Sequence, residues 1–168
     1  MDNISDEIQR QPGSEYCFVC GLKNPIGLKL DFYNNRERVW TEFTPQEYHQ
    51  GWPGVLHGGI ITALLDETIG RVAFLYDKWV QTGKIEVKFR KPTPLGQKLL
   101  VTGELVRDVG RAMEMRGTVK LADSGEVLAE AIGLFIRMPD SARDEMARQL
   151  GGDFSVWEEW LAKNRCKS

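Results

Sequence analysis

Apolar residues recur at helical spacing over one long stretch of the chain, residues 56–76. Their positions step by three and four, as they do on one face of an α-helix. The stretch is nearly apolar all round, which is typical of a helix enclosed by other elements. The pattern therefore predicts a buried central helix. Its inward positions are Ile61, Leu64, Leu65, Thr68, Ile69, Val72 and Leu75.

On both sides of this helix the period of the pattern changes to two, which predicts β-strands. The strands are expected over residues 28–33, 39–43, 85–89, 99–105, 113–121 and 127–136. An antiparallel sheet of about six strands with alternating faces can wrap around one helix. We therefore expect an α+β fold in which the four strands after the helix form a meander.

Both ends of the chain lie outside this pattern. Residues 1–15 are polar and acidic without a period, which predicts a mobile tail. Residues 139–168 begin with polar capping residues at 140–141 and return to helical spacing, and the glycines at 151–152 divide them into two helices. We expect one domain over residues 16–138, followed by this C-terminal helical extension.

Composition narrows the class of protein. The 168 residues include 22 basic and 24 acidic side chains, with a net charge of −2, which gives no global attraction to nucleic acid or to membrane surfaces. The chain has no apolar run of about eighteen residues for a membrane span, and its polar start is unlike a secretory leader. Three cysteines are too sparse for a disulfide framework. These features favour a cytoplasmic protein without a nucleic-acid partner.

The central helix carries two features that point to chemistry. It opens with Gly58 and Gly59 directly after His57, and it holds two acids, Asp66 and Glu67, in its interior. Glycines at a helix start expose backbone N–H groups at the positive end of the helix dipole, where a carbonyl oxygen and its oxyanion can bind. The alternative is that the glycines only let a strand pass close to the helix. Acids within a buried helix are unfavourable unless they are paired or functional.

Three stretches together resemble a known family. They are Cys20-Gly21 with Asn24-Pro25-Ile26-Gly27-Leu28, His57-Gly58-Gly59 with Asp66, and Lys88-Phe89-Arg90-Lys91-Pro92-Thr93-Pro94-Leu95-Gly96. In this order they resemble the hotdog-fold acyl-CoA thioesterases of the PaaI-like group, over roughly residues 17–138. The resemblance implies a hotdog fold, hydrolysis of an acyl-CoA to free acid and coenzyme A, and a homodimer or homotetramer. Attack of water on a thioester needs no metal or organic cofactor, and we expect none.

The resemblance also implies the candidate catalytic residues. It places the carbonyl-binding N–H at Gly59 and the acid at Asp66, which acts as general base toward water or as nucleophile on the carbonyl carbon. His57 orients the turn or transfers a proton, and Thr82 positions the attacking water, as a hydroxyl residue does in some relatives. The structural alternatives are an ion pair between Asp66 and Arg71, a His57 that only fixes the loop, and a Thr82 selected for strand propensity.

Helix geometry adds a condition on the catalytic pair. Gly59 and Asp66 are seven residues apart, which places them on one face but about 10.5 Å apart along the axis. An aspartate side chain does not span that distance. If both act on one thioester, Asp66 must come from a second chain with an antiparallel helix, which predicts a homodimer with composite sites. Glu67 lies about 100° round from Asp66, so we expect it to be a structural partner.

Basic residues in two segments are candidates for holding the phosphates of coenzyme A. They are Lys88, Arg90, Lys91, Arg107 and Arg111, and Gly58 is a further candidate for substrate contact. For each basic residue the alternative is a solvated strand face. Cys17 and Cys20 have a metal-ligand spacing, but zinc needs four ligands and no second pair is present, so a role in loop packing is favoured.

Two other functions stay open at this point. One is a hotdog enoyl-CoA hydratase or dehydratase, although those enzymes resemble a different placement of histidine and aspartate. The other is a non-catalytic protein that binds or senses acyl-CoA with the same pocket. Release of free thiol from acyl-CoA separates both from a thioesterase.

Overall fold

The computed structural model describes residues 8–150 and 152–164. In these ranges a seven-stranded antiparallel sheet wraps around one helix, α1 (Gly58–Gly70), and two helices follow, α2 (Asp140–Leu150) and α3 (Gly152–Asn164). This confirms the predicted α+β hotdog architecture. The strands are β1 (Gln9–Gln11), β2 (Phe32–Asn34), β3 (Arg38–Phe43), β4 (Val80–Phe89), β5 (Leu99–Asp108), β6 (Ala112–Leu121) and β7 (Val127–Arg137).

The inward face of α1 is the one that the helical spacing predicts. Its buried residues are Ile61, Leu64, Leu65, Thr68 and Ile69. The Thr68 hydroxyl donates to the Leu64 carbonyl oxygen at 2.6 Å, so this buried polar group is satisfied within the helix. After Gly70 the backbone tightens into a 3-10 segment, Arg71–Tyr76, which ends at Asp77 in the left-handed conformation.

Two glycines in the sheet let α1 pack closely against it. Gly103 of β5 and Gly117 of β6 lie opposite each other in the strand register. A Cβ atom on Gly117 would lie 2.8 Å from Ile69 Cγ1, and one on Gly103 would lie 3.0 Å from the Thr68 carbonyl oxygen. A side chain at Gly117 would therefore push the helix away from the sheet.

The strand order corrects the predicted meander. The sheet runs β1-β2-β3-β5-β6-β7-β4. Of the four strands after α1, only β5, β6 and β7 are neighbours in chain order, and β4 pairs with β7. Residues 90–98 join β4 to β5 and contain Pro92 and Pro94. A connection of this length, with two residues that cannot donate to a ladder, does not make a tight hairpin. As a result β4 is a ten-residue strand at the edge of the sheet.

The N-terminal part differs from the prediction in two places. The strand predicted over residues 28–33 begins only at Phe32, because Leu28 and Leu30 donate their N–H groups to the carbonyls of the preceding loop and Lys29 has a φ of 56°. The predicted mobile tail was wrong for Gln9–Gln11, which form β1 against β2. Residues 1–7 of that tail lie outside the described residues.

The C-terminal extension forms two helices, with the break at the glycine pair as predicted. Within the described part of the chain, no helix has both the length and the apolar character that crossing a membrane requires.

Candidate active site

The start of α1 is capped by His57. Its Nδ1 accepts the Gly59 N–H at 2.9 Å, and its carbonyl oxygen accepts the N–H groups of Ile60 and Ile61 at 3.0 and 3.2 Å. In the part of the chain that the structure describes, no acceptor takes the Gly58 N–H. The resemblance implies Gly59 as the carbonyl-binding residue, but the Gly59 N–H already donates to His57. The N–H of Gly58 is the one available to a ligand.

The capping bond also defines the role of His57 in this geometry. An Nδ1 atom that accepts the Gly59 N–H has no proton, so a neutral ring carries its proton on Nε2 and presents a donor to solvent. The histidine therefore fixes the turn, which was the structural alternative for it. A Cβ atom on Gly59 would lie 3.0 Å from His57 Nδ1, so this glycine leaves room for the ring.

Gly58 lies beside the C-terminal end of β4. A Cβ atom there would be 3.4 Å from the Phe89 ring, which is an ordinary van der Waals contact. The alternative explanation of the glycine pair, a close approach between strand and helix, therefore does not require a glycine at position 58. The contact with Phe89, the last residue of β4, places this end of α1 next to the basic segment that follows β4. The free N–H of Gly58 lies at the same end.

Asp66 and Thr82 come together at the other end of β4. The Thr82 hydroxyl donates to Asp66 Oδ1 at 2.7 Å, and the carboxylate is half-buried. Burial raises the pKa of Asp66, and the negative charge of Glu67 adds to this, while the hydrogen bond from Thr82 lowers it. The net effect is a raised pKa, which makes the carboxylate a better proton acceptor than a solvated aspartate once it is ionised.

Glu67 takes the structural role expected for it. Arg71 Nε donates to Glu67 Oε1 at 2.8 Å, and Arg71 Nη1 donates to the Pro12 carbonyl oxygen at 2.9 Å. The guanidinium is buried and lies 4.1 Å from the centre of the Phe32 ring. An ion pair between Asp66 and Arg71, the structural alternative, is thus replaced by the pair with Glu67, and Asp66 is left with Thr82.

The two N-terminal cysteines form a cluster with Glu67. Cys17 Sγ, Cys20 Sγ and a Glu67 carboxylate oxygen lie within 4.8 Å of one another. These are three ligand atoms where closed zinc sites have four, and the glutamate is already paired with Arg71. The Cys20 thiol is buried in the core, and its hydrogen bond lowers the pKa of Cys17 to about 7. A side chain at Gly21 would collide with the Cys17 backbone, so the segment is a tightly packed loop.

The candidate phosphate-binding residues fall into two groups at opposite ends of β7. Lys88 lies opposite Glu130, and Arg90 and Lys91 follow it at the end of β4 near Gly58. Arg107 and Arg111 lie near the β5–β6 hairpin, where the Arg111 carbonyl accepts the Arg137 N–H at 3.0 Å. One chain therefore does not gather all five into one site.

Several of these basic residues already have acidic partners. Arg90 pairs with Glu130 at 2.7 Å, Arg107 with Glu114 at 3.0 Å, and Lys91 with Glu126. Such exposed pairs contribute little to stability and exchange readily for a phosphate. Lys88 and Arg111 have no ion-pair partner among the described residues.

A cavity of about 300 Å³ opens beside Asp66 and Thr82. Sequence reasoning did not place the C-terminal extension here, because helical spacing gives no information on where a helix docks. Its wall includes the side chains of Phe74, Trp79, Phe135, Met146 and Trp157.

The chain is similar to known thioesterases over the part that holds the candidate site. Residues 53–128, which hold Gly58, Asp66 and Thr82, match the Thioesterase superfamily. Acyl-coenzyme A thioesterase THEM4 of Rattus norvegicus is 33% identical over 126 residues, covering 73% of this chain and 54% of the relative. The Xenopus laevis THEM4 is 30% identical over 127 residues, covering 75% of this chain and 51% of the relative. The chain thus spans about half the length of these curated relatives.

Solved structures share the fold. The thioesterase superfamily protein RHA08564 has a TM-score of 0.67 and 31% identity, covering 73% of this chain and 60% of that one. The protein smu.793 from Streptococcus mutans UA159, bound to acetyl CoA, has a TM-score of 0.58 and 22% identity, covering 61% of this chain and 82% of that one. The match over residues 53–128 therefore identifies the part of the chain around α1 as a Thioesterase superfamily domain.

Proposed function

We propose that this protein is an acyl-CoA thioesterase that hydrolyses an acyl-CoA to the free acid and coenzyme A. The observation that carries the proposal is the half-buried Asp66 carboxylate, with its raised pKa and its hydrogen bond from Thr82, on the same helix as the free Gly58 N–H. The names of the THEM4 relatives support it.

The two groups need a second chain to act on one thioester. Gly58 and Asp66 are eight residues apart on α1, which is about 12 Å along the helix axis. They also mark opposite ends of β4, since Gly58 lies beside Phe89 and Asp66 bonds to Thr82. Each protomer therefore carries one half of a site at either end of one strand.

The edge position of β4 supports a homodimer. Its ten residues are mostly exposed, and one side of the strand is paired with β7 while the other is open. A long open edge is a template for pairing with another strand. Antiparallel pairing of two β4 strands about a two-fold axis sets the Thr82 end of one against the Phe89 end of the other. This brings Asp66 of one protomer toward Gly58 of its partner.

The same pairing explains the division of the basic residues. Lys88, Arg90 and Lys91 lie at the Gly58 end of their own chain, whereas Arg107 and Arg111 lie at its Thr82 end. In the proposed dimer the Gly58 end of one protomer lies beside the Thr82 end of its partner, so both groups of basic residues border the same site. Coenzyme A phosphates would then be held at the rim by basic residues from both protomers.

In the proposed reaction the thioester carbonyl oxygen accepts the Gly58 N–H, and the helix dipole stabilises the oxyanion that forms. Asp66 of the other protomer takes a proton from water while the water oxygen bonds to the carbonyl carbon. The carbon–sulfur bond then breaks, and the coenzyme A thiolate takes up a proton. Direct attack by the carboxylate, with hydrolysis of the resulting anhydride, is the second route. Thr82 holds the carboxylate oriented in both.

The chemistry draws only on water and these side chains, so we propose no metal and no cofactor besides the coenzyme A of the substrate. A cytoplasmic location, a homodimer or homotetramer, and the absence of a nucleic-acid partner belong to the same proposal. The two free thiols at Cys17 and Cys20 fit a reducing compartment.

Release of free thiol from acetyl-, hexanoyl-, benzoyl- and palmitoyl-CoA tests the function. We expect hydrolysis of at least one by the wild type, and a loss of about 10²–10⁴-fold in kcat in Asp66→Asn. Glu67→Gln is the matched control, because it keeps an acceptor for Arg71 and should keep most of the activity. Binding without thiol release would instead favour a sensor, and addition of water to an enoyl-CoA would favour a hydratase.

A further inference from the structure

The cavity beside the catalytic pair is walled in part by the C-terminal extension. Met146 lies on α2 and Trp157 on α3, and both line the same 300 Å³ space as Asp66 and Thr82. Neither helix falls within residues 53–128, the part that matches the superfamily. A segment outside the shared domain thus reaches the candidate site.

Trp157 fixes this extension in place. It is 5% exposed and stacks on Phe74 with ring centres 4.2 Å apart and planes 26° apart. Trp79 meets it edge-on at 6.3 Å, and the Arg71 guanidinium lies 5.1 Å from its ring. These contacts join α3 to the segment that follows α1. The aromatic wall is therefore a built part of the fold.

A second contact holds α3 from outside the cavity. The Trp160 indole N–H donates to the Arg10 carbonyl oxygen of β1 at 3.1 Å. Trp160 lies on the same helix but does not belong to the wall around Asp66. It provides a control position on the same element.

We propose that α2 and α3 form the acyl-binding wall of the active site and select a compact, ring-bearing acyl group. This inference rests on the proposed function, because it places the thioester carbon at the Asp66 carboxylate. The acyl group must continue from that carbon, and the cavity begins at Asp66 and Thr82. The coenzyme A half extends instead toward the basic residues at the rim.

The size and the lining of the cavity identify the class of acyl group. An apolar protein cavity of about 150 Å³ holds one benzene ring, so 300 Å³ accommodates a ring with a short linker. The apolar part of the wall consists mainly of aromatic side chains that suit another aromatic ring, namely Phe74, Trp79, Phe135 and Trp157. The polar part consists of Ser14, Glu67, Arg71 and Gln81 beside the catalytic pair. A long straight acyl chain would have to leave this space.

Substitutions that fill or reshape the cavity test the inference. Met146→Trp fills it, and we expect the ratio of kcat/KM for benzoyl-CoA to that for acetyl-CoA to fall by about tenfold or more. Trp157→Leu keeps an apolar anchor for α3 but removes the ring, so the ratio of benzoyl-CoA to hexanoyl-CoA hydrolysis should fall. Trp160→Phe removes the bond to Arg10 but keeps an aromatic ring beside Trp157, and its acyl profile should match the wild type.

The readouts separate this inference from the proposed function. Unchanged acyl profiles in folded Met146→Trp and Trp157→Leu, with hydrolysis intact, would overturn the acyl wall and leave the thioesterase standing. Calorimetry with a non-hydrolysable benzoyl-CoA thioether supplies the second measurement. If the wild type hydrolyses no acyl-CoA but binds this thioether more tightly than Met146→Trp does, the function fails and the wall is supported.

Discussion

The two ends of β4 carry opposite chemistry. At the Phe89 end the Gly58 N–H offers a free donor in an exposed turn, and at the Thr82 end Asp66 offers a half-buried acceptor. The donor end depends on local backbone geometry, because the His57 cap decides which N–H is left free. The acceptor end depends on tertiary packing, because α1 and β4 bring together residues sixteen positions apart. In the proposed dimer each end is half of a site, and pairing of two protomers joins the unlike halves.

Mixing two inactive proteins tests whether the two ends of β4 act in one composite site. Asp66→Asn lacks the acceptor and Gly58→Pro lacks the donor, so each homodimer should be inactive. After subunit exchange, half of the dimers are mixed, and each mixed dimer has one intact site. Activity should therefore recover to about a quarter of the wild type.

Thiol release during a timed mixing experiment measures this recovery. A mixture of Asp66→Asn with Glu67→Gln is the dilution control, because it should keep about half of the wild-type activity whether or not subunits exchange. If the mixture of the two inactive variants stays inactive while exchange is demonstrated by labelled subunits, the composite site is wrong.

Gly58→Pro tests the donor end alone. Proline is favoured at the first helical position, and His57 already has the extended conformation that a residue before proline needs, with φ −62° and ψ 131°. The substitution removes the N–H while the helix start is kept. Loss of one oxyanion donor should lower kcat by about 10²–10³-fold.

Gly58→Ala is the matched control, because it keeps the N–H and its Cβ meets the Phe89 ring at an ordinary distance. Its kcat should stay near that of the wild type. Equal losses in the proline and alanine variants would instead mean that the space at Gly58, and not its N–H, is what matters.

The sequence predicted the parts of the molecule that have a local pattern. The 3.6-residue period located α1, alternation located β3 and β5 to β7, and the glycine pair located the break between α2 and α3. Asp66 stood out because an acid within an apolar helix needs a reason. These are all signals that adjacent residues carry.

The parts that the sequence missed depend on distant contacts or on atomic geometry. The three residues of β1, Gln-Arg-Gln, have no period of their own and form a strand only because β2 is beside them. The choice between Gly58 and Gly59 turns on which N–H the His57 ring accepts. The place of Trp157 in the cavity depends on its stacking on Phe74, far away in the chain.

Thr82→Val tests the acceptor end through pH. The hydroxyl of Thr82 donates to the ionised form of Asp66 and so lowers a pKa that burial has raised. Removing it should raise that pKa further. Since the reaction needs the ionised carboxylate, activity is lost as the pH falls through this pKa, and the acid limb of kcat/KM should move to higher pH. Thr82→Ser keeps the donor, and its acid limb should stay near that of the wild type. An acid limb that does not move in the valine variant would mean that Asp66 is not the titrating group.

The smallest expected effects concern stability, and they have opposite signs at the two ends. His57→Ala removes the cap of α1 and should lower the free energy of unfolding by about 1 kcal/mol.

Asp66 has a raised pKa in the folded state, so the stability it contributes is full below its unfolded pKa and is lost as the pH rises through its folded pKa. Asp66→Asn removes that loss, so relative to the wild type it should gain stability from about pH 4 to about pH 8. Denaturant unfolding of the wild type and of both variants at about pH 4 and about pH 8 measures these changes in the free energy of unfolding. If Asp66→Asn were instead less stable than the wild type at the higher pH, the carboxylate would be holding the fold together, and its half-buried position would no longer argue for catalysis.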